Sequence, residues 1–275
     1  MDFRFSLINK KMSSFLSKNK NASSKDRQPD SYLISENSIF GMIESYNSLR
    51  TNIMFSLTQS DTGKIIMLTS SVPGEGKTTI SINTAITFAQ SGARVLLIDC
   101  DFRKSTIHRY LKLDGSVGIT NVLCGYTDID SAIHSNVYEG VDIITVGEIP
   151  PNPTQILSSP ELGKLLKELS AKYDYIFLDT PPVSVVTDAA IIAGHCDGVT
   201  VVVREDYTNI DRLDMAVNNL QKANARILGF IMLINEKQRK RYGYSRYGKY
   251  GKYGTYGKYG SYGGYGYYGS DHAND

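Results

Sequence analysis

The amino-acid sequence predicts an α/β protein, a mainly parallel β-sheet with helices on both faces. Short apolar runs, mostly rich in Val and Ile, recur at Ile65–Leu68, Val95–Ile98, Val141–Val146, Tyr175–Leu178, Val199–Val203 and Leu228–Ile234. Segments of helical period separate most of them, among them Thr78–Gln90, Pro160–Lys172 and Ile210–Lys222. The runs are continuous rather than alternating, as strands read when both faces are buried. Their brevity favours strand over buried helix.

Along the chain three zones stand out. Residues 1–38 are polar and basic, with Lys10, Lys11, Lys18, Lys20 and Lys25 among Ser and Asn. They predict a flexible segment in which Phe3, Phe5, Leu7, Ile8 and Phe15 could form a weak amphipathic anchor. The body, 39–235, opens with apolar residues at Met42, Ile43, Tyr46, Leu49, Ile53 and Leu57, the spacing of a helix. From 236 to 275 the sequence is a low-complexity Gly/Tyr tail, expected to be disordered.

The formal net charge of +2 hides an asymmetry. Residues 1–28 carry +5, residues 236–275 carry +5, and the body between them carries −8. An acidic body argues against a nucleic-acid partner, which would call for a basic folded face. Basic ends suit an anionic membrane surface or an acidic partner, or simply aid solubility. Three cysteines, Cys100, Cys124 and Cys196, have neither the number nor the spacing of a disulfide framework or a zinc site. No stretch approaches a membrane span, and the N-terminus lacks a secretory h-region, so a cytoplasmic protein is expected.

The first strand runs into Ser71-Val72-Pro73-Gly74-Glu75-Gly76-Lys77-Thr78-Thr79 and then directly into a helix. This is the phosphate-loop pattern GxxxxGK[ST] with Ser71 in the first glycine position. Gly74 and Gly76 let backbone N–H groups curl round an anion at a helix N-terminus. Lys77 can reach the outer phosphates, and the Thr78 hydroxyl can ligate Mg²⁺. Two more strands end in acid, at Asp99-Cys100-Asp101 and at Asp179. Carboxylates at the C-terminal ends of parallel strands share the edge where such sheets bind ligands. One could hold Mg²⁺, and another could take a proton from an attacking hydroxyl.

Beyond Arg241, tyrosines stand at 242, 244, 247, 250, 253, 256, 259, 262, 265, 267 and 268, 11 of the chain's 19. With a glycine at nearly every third position and no aliphatic partner, this array predicts exposed phenols. Three readings fit it: a phosphoryl-acceptor array, a self-associating segment, or an RNA-binding segment. A phosphate site in the same chain favours the first.

Together these residues resemble the bacterial tyrosine kinases, a P-loop family associated with capsule and exopolysaccharide synthesis. The likeness covers about residues 39–235 plus the tail, and includes Pro150-Pro151-Asn152-Pro153 and Thr51-Asn52. It implies an enzyme using ATP and Mg²⁺. Residues 71–79 would bind ATP, and Asp99 and Asp101 would supply the candidate base and Mg²⁺ support. Asp179 would support Mg²⁺, and Asn235 would contact adenine. Tyr242, Tyr244, Tyr247, Tyr250, Tyr253, Tyr256, Tyr259, Tyr262, Tyr265, Tyr267 and Tyr268 would be autophosphorylated between neighbours in a ring.

The family's oligomerisation helix commonly reads ExxRxxR; here Glu44 and Arg50 match, but Asn47 replaces the middle Arg. The resemblance also implies a membrane-anchored activator, which doubles as a polysaccharide chain-length co-regulator and recruits the kinase to the inner face of the membrane. A cognate tyrosine phosphatase and other protein substrates are further expected partners. Two alternatives remain: a partition or division-site ATPase, whose signature Lys is replaced here by Val72, and a non-catalytic nucleotide-binding regulator of polysaccharide assembly.

Overall fold

The computed structural model describes residues 32–35, 38–58 and 62–234. At the centre is a seven-stranded sheet in the order β3-β4-β2-β5-β1-β6-β7. Its strands are β1 Lys64–Ser70, β2 Val95–Asp99, β3 Ile133–Tyr138, β4 Val141–Ile144, β5 Tyr175–Asp179, β6 Gly198–Arg204 and β7 Ile227–Leu233. All pairings are parallel except β3 with β4, at one edge. The longer helices are α1 Phe40–Ser56, α2 Lys77–Ala89, α7 Pro160–Ser170 and α9 Ile210–Lys222. Shorter ones are α3 Ile107–Leu111, α4 Ile119–Leu123, α5 Ile129–Ala132, α6 Pro153–Leu157 and α8 Asp188–Ala193.

The continuous apolar strands serve two cores at once, because successive side chains point to opposite faces. From β1 and β2, Met67, Leu96 and Ile98 join Leu162, Leu166 and Leu169 of α7 and Leu213 and Leu220 of α9. The alternate residues Ile66, Leu68, Val95 and Leu97 join Ile80, Ile86 and Phe88 of α2 and Ile53 of α1. Phe88 meets the rings of Tyr175 and Phe177 edge-on, at centroid distances of 4.6 and 5.0 Å. All six predicted strands are present. The seventh, β3, escapes the apolar-run criterion because His134, Ser135 and Asn136 make it polar, with Asn136 at φ +52° where the register shifts.

The flexible zone expected through residue 38 differs at its described end. Leu33 and Ile34 are buried, and Asn83 of α2 straps the segment down. The Asn83 carboxamide accepts from the Ile34 amide (2.8 Å) and donates to the Tyr32 carbonyl (2.8 Å) and the Tyr46 hydroxyl (3.0 Å). Two apolar side chains in an otherwise polar stretch suffice to dock it. The proposed anchor at Phe3–Phe15 lies outside the described residues, as do Asn235 and the tail.

Candidate functional site

Topology alone gathers the candidate residues. β1 lies between β5 and β6, with β2 next to β5. Asp99 and Asp179 end neighbouring strands in direct register, and Leu68 of β1 stands opposite Asp179. The chain leaves β1, passes through residues 71–76 and enters α2 at Lys77. Gly74 and Gly76 have φ of +84° and +87°, where a side chain is strained. At Gly76 an added Cβ would also come within 2.5 Å of Leu233 Cδ1.

Asp179 is fully buried and receives three donors. Lys77 Nζ (3.0 Å) and Ser81 Oγ (2.8 Å) donate to its Oδ1, and Thr78 Oγ1 (2.8 Å) donates to its Oδ2. Lys77 Nζ also lies 3.7 Å from Asp101 Oδ2. Burial works against the Lys77 charge, yet Asp179, Asp101 and Asp99 outweigh it and hold the ammonium pKa above its ordinary value. Asp99 is buried as well. Its Oδ1 accepts from the Asp101 amide, and its Oδ2 accepts from Ser105 Oγ and the amides of Thr106 and Ile107. Burial, then the neighbouring Asp179, pushes the Asp99 carboxyl up to about 7, against the pull of Lys77. Asp101 sits nearer the opening, with its Oδ1 accepting from the Lys104 amide at 3.0 Å.

Within the loop, the predicted phosphate ligands divide. The buried Glu75 carboxylate turns back and accepts from the amides of Ser71 (2.7 Å) and Val72 (3.0 Å) and from Ser71 Oγ (2.8 Å). Those two amides therefore brace the loop instead of facing its concavity. Sequence reasoning placed Glu75 among phosphate-binding residues and had no signal for its side chain as a brace. It also missed Ser81, which one signal could have found: four residues after Lys77, it lies on the same helix face.

The residues fit a Mg²⁺-nucleotide. The Thr78 hydroxyl gives its proton to Asp179, which leaves lone pairs for a cation, and three carboxylates face one ammonium. Among the described residues no group of three or more His, Cys, Asp or Glu forms a ready metal cage. Mg²⁺ commonly uses one or two protein oxygens together with substrate phosphates and water.

Around the site, Arg103 Nε (2.7 Å) and Nη2 (3.2 Å) donate to the buried carboxylate of Asp188, at the start of α8. Thr154, next to the Pro150–Pro153 run, donates to the same carboxylate at 2.8 Å. On α1, Glu44 is exposed and accepts from Asn47 Nδ2 at 3.3 Å. Arg50 Nη1 donates to the Thr87 carbonyl of α2 at 2.9 Å, so part of its bonding stays within the chain. Among the described residues no helix is long and apolar enough to cross a membrane.

A family model described as an AAA domain matches residues 63–230. Tyrosine-protein kinase YwqD of Bacillus subtilis is 39% identical over 204 residues, covering 73% of this chain and 85% of that protein. Tyrosine-protein kinase ptk of Acinetobacter johnsonii is 37% identical over 202 residues, 74% of this chain. The chain spans only 27% of the length of ptk and of other curated relatives it matches. Among solved structures, the kinase domain of the Escherichia coli tyrosine kinase ETK is similar, with a TM-score of 0.70 and 27% identity over 80% of this chain and 84% of that one. The septum site-determining protein MinD of Pyrococcus horikoshii, complexed with Mg-ADP, is similar with a TM-score of 0.53 and 26% identity over 62% and 70% of the two chains.

Proposed function

The chain belongs to the bacterial tyrosine-protein kinases of the P-loop fold, and on that premise we propose that it transfers the γ-phosphoryl group of ATP to tyrosines in the tail of a neighbouring copy, so regulating capsular or exopolysaccharide synthesis and export. The observation that carries this reading is the convergence of Lys77, Thr78, Asp101 and Asp179 on one sheet edge, in a chain that ends in 11 clustered tyrosines.

In this mechanism the amides from Gly74 to Thr79 and the Lys77 ammonium hold the phosphates, while Asn235 contacts adenine. Thr78 would hold Mg²⁺, with Asp179 and Asp101 supporting it. When bound, Mg²⁺ would supply charge neutralisation to the phosphates. The tyrosine oxygen attacks γ-phosphorus, the bond to the bridging oxygen breaks, and ADP leaves. Asp101 takes the phenolic proton. Asp99 is the less accessible base because it is fully buried and four donors already enclose its oxygens. Its task is to fix the turn that carries Asp101. Catalysis rests on positioning and charge neutralisation.

The reading includes a ring of copies joined through α1, with Glu44 exposed for that contact and Arg50 contributing to it. It also includes a membrane-anchored activator that recruits the kinase to the inner membrane face, a cognate phosphatase, and no nucleic-acid partner. Likeness to MinD favours a second reading, a division-site-type ATPase, although Val72 stands where those proteins carry their signature Lys.

The test is intact mass after incubation with Mg-ATP, with and without the cytoplasmic segment of a candidate activator. Phosphate additions mapping to Tyr242–Tyr268, absent in Lys77→Ala and after deletion of residues 242–268, support the kinase. ATP turnover without mass addition supports the ATPase.

A further inference from the structure

The segment joining β6 to α9 carries residues that no motif singles out, and it touches the phosphate loop at several points. Tyr207 Oη donates to the Pro73 carbonyl at 2.9 Å. Arg204 Nη1 donates to the Gly74 carbonyl at 3.3 Å, and its guanidinium lies 5.4 Å from the centre of the Tyr207 ring. The Thr208 hydroxyl donates to Glu75 Oε1 and accepts from the Arg204 amide. Thr208 and Glu75 are both buried. The connector is itself fixed: Asn209 caps α9 by accepting from the Asp211 and Arg212 amides, and the Glu205 amide donates to the Leu233 carbonyl of β7.

We propose that Thr208, with Tyr207, is a positioning residue that pre-forms the phosphate loop by locking Glu75 inside it. A carboxylate in an anion-binding loop repels phosphate unless its lone pairs are occupied and held away. Glu75 meets that condition with four donors: the Ser71 amide and hydroxyl, the Val72 amide and Thr208. Of these four donors Thr208 is the one from outside the loop, and it links the Glu75 carboxylate directly to the segment that follows β6. Without it, Glu75 Oε1 keeps only Ser71 Oγ, and the loop samples conformations that must be reordered before nucleotide binds. Affinity then falls by the fraction of time the loop is competent, while the bound state is unchanged. The contact at Gly74 follows the same logic, since an added Cβ there would lie 2.8 Å from Tyr207 Oη.

The proposal rests on the reading of residues 71–79 as a nucleotide-phosphate loop, and the two fail differently. Calorimetric titration of Mg-ADP gives affinity and stoichiometry separately. Thr208→Val should raise Kd by about 5- to 20-fold with stoichiometry near that of the unsubstituted protein. Thr208→Ser, which keeps the hydroxyl, should restore Kd to within about twofold. Should Thr208→Val not fold, Tyr207→Phe serves: the side chain is half exposed, and loss of its hydroxyl should raise Kd by about 2- to 5-fold. An unchanged Kd in the folded variants, failure of Ser to rescue, or a fall in stoichiometry at constant Kd would each overturn the positioning role. Absence of Mg-ADP binding to the unsubstituted protein would instead overturn the phosphate-loop reading and the lock with it.

Discussion

Replacing Asp179 by Asn separates what this carboxylate does for the fold from what it does for the ligand. In the structure it accepts from Lys77, Thr78 and Ser81 and is fully buried. Breaking a buried ion pair commonly costs about 3–5 kcal/mol because the remaining charge is stranded. Here Lys77 keeps Asp101 at 3.7 Å and Asp99 nearby, so a loss of about 1–3 kcal/mol is expected. The repulsion that Asp179 exerts on Asp99 also disappears, which offsets part of that loss. The ligand effect has the opposite sign in two conditions. Without Mg²⁺, ADP should bind the Asn variant as well as or better than the unsubstituted protein. One fewer negative charge at roughly 5–8 Å is worth about 2–3 kcal/mol at an effective dielectric near 20. With Mg²⁺, the added affinity that the ion normally confers should largely vanish. Calorimetry of ADP with Mg²⁺ and with a chelator, beside thermal unfolding, reads all three quantities. A variant that keeps the full Mg²⁺-dependent gain would refute the assignment of Asp179 to the metal site.

The remaining predictions concern charge and backbone. Because the folded-state pKa of Asp99 is raised to about 7 from an ordinary 3.8, its contribution is fully favourable below about pH 4 and is lost as pH rises toward 7. Denaturant unfolding should therefore show a decline on the order of 2–4 kcal/mol across that window, and the decline should be absent in Asp99→Asn. Arg103→Lys cannot reproduce the fork onto Asp188 and should cost about 1–2 kcal/mol by thermal unfolding; an unchanged Tm would deny the fork any weight. Gly76→Ala should abolish detectable Mg-ADP binding, since it forces an L side chain to φ +87° and into Leu233. For the tail, three phosphates at about −1.5 to −2 each neutralise its +5. Mass spectra at low ionic strength should accumulate near that number, and added salt should erase the plateau.

Much of the fold could be read before the structure because the central strands are buried on both faces, which makes each an unbroken apolar run. What could not be read obeys a different physics. β3 is an edge strand with polar residues at His134–Asn136, and the short helices α3 to α6 and α8 have too few turns to show a period. At the site, the motif residues Lys77, Thr78, Asp99, Asp101 and Asp179 could be named because strand ends and a helix start are set locally. Their division of labour could not. Whether Asp99 or Asp101 is enclosed depends on where Ser105, Thr106 and Ile107 fold back, and the inward turn of Glu75 depends on Thr208, 133 residues away. Side-chain direction at that range leaves no signature in one sequence.

The arrangement also explains why a site for a highly charged anion is built from acids. Three aspartates converge at the ends of β2 and β5, while the nearest positive potential comes from Lys77 and the N-terminal amides of α2. Alone, this set is over-supplied with negative charge. Lys77 is consumed internally by Asp179 and Asp101, and Asp99 is driven toward its neutral form. A nucleotide that drew Lys77 away by itself would leave the carboxylates unbalanced, whereas one arriving with a divalent cation brings the missing charge and frees the ammonium for phosphate. On the proposed reading the acids would thus select the metal-bound form of the ligand over the free anion. The same sign rule would then act on the charges of the sequence: residues 236–275 carry +5 against −8 for the body, and each phosphate added to the tail would reduce that difference.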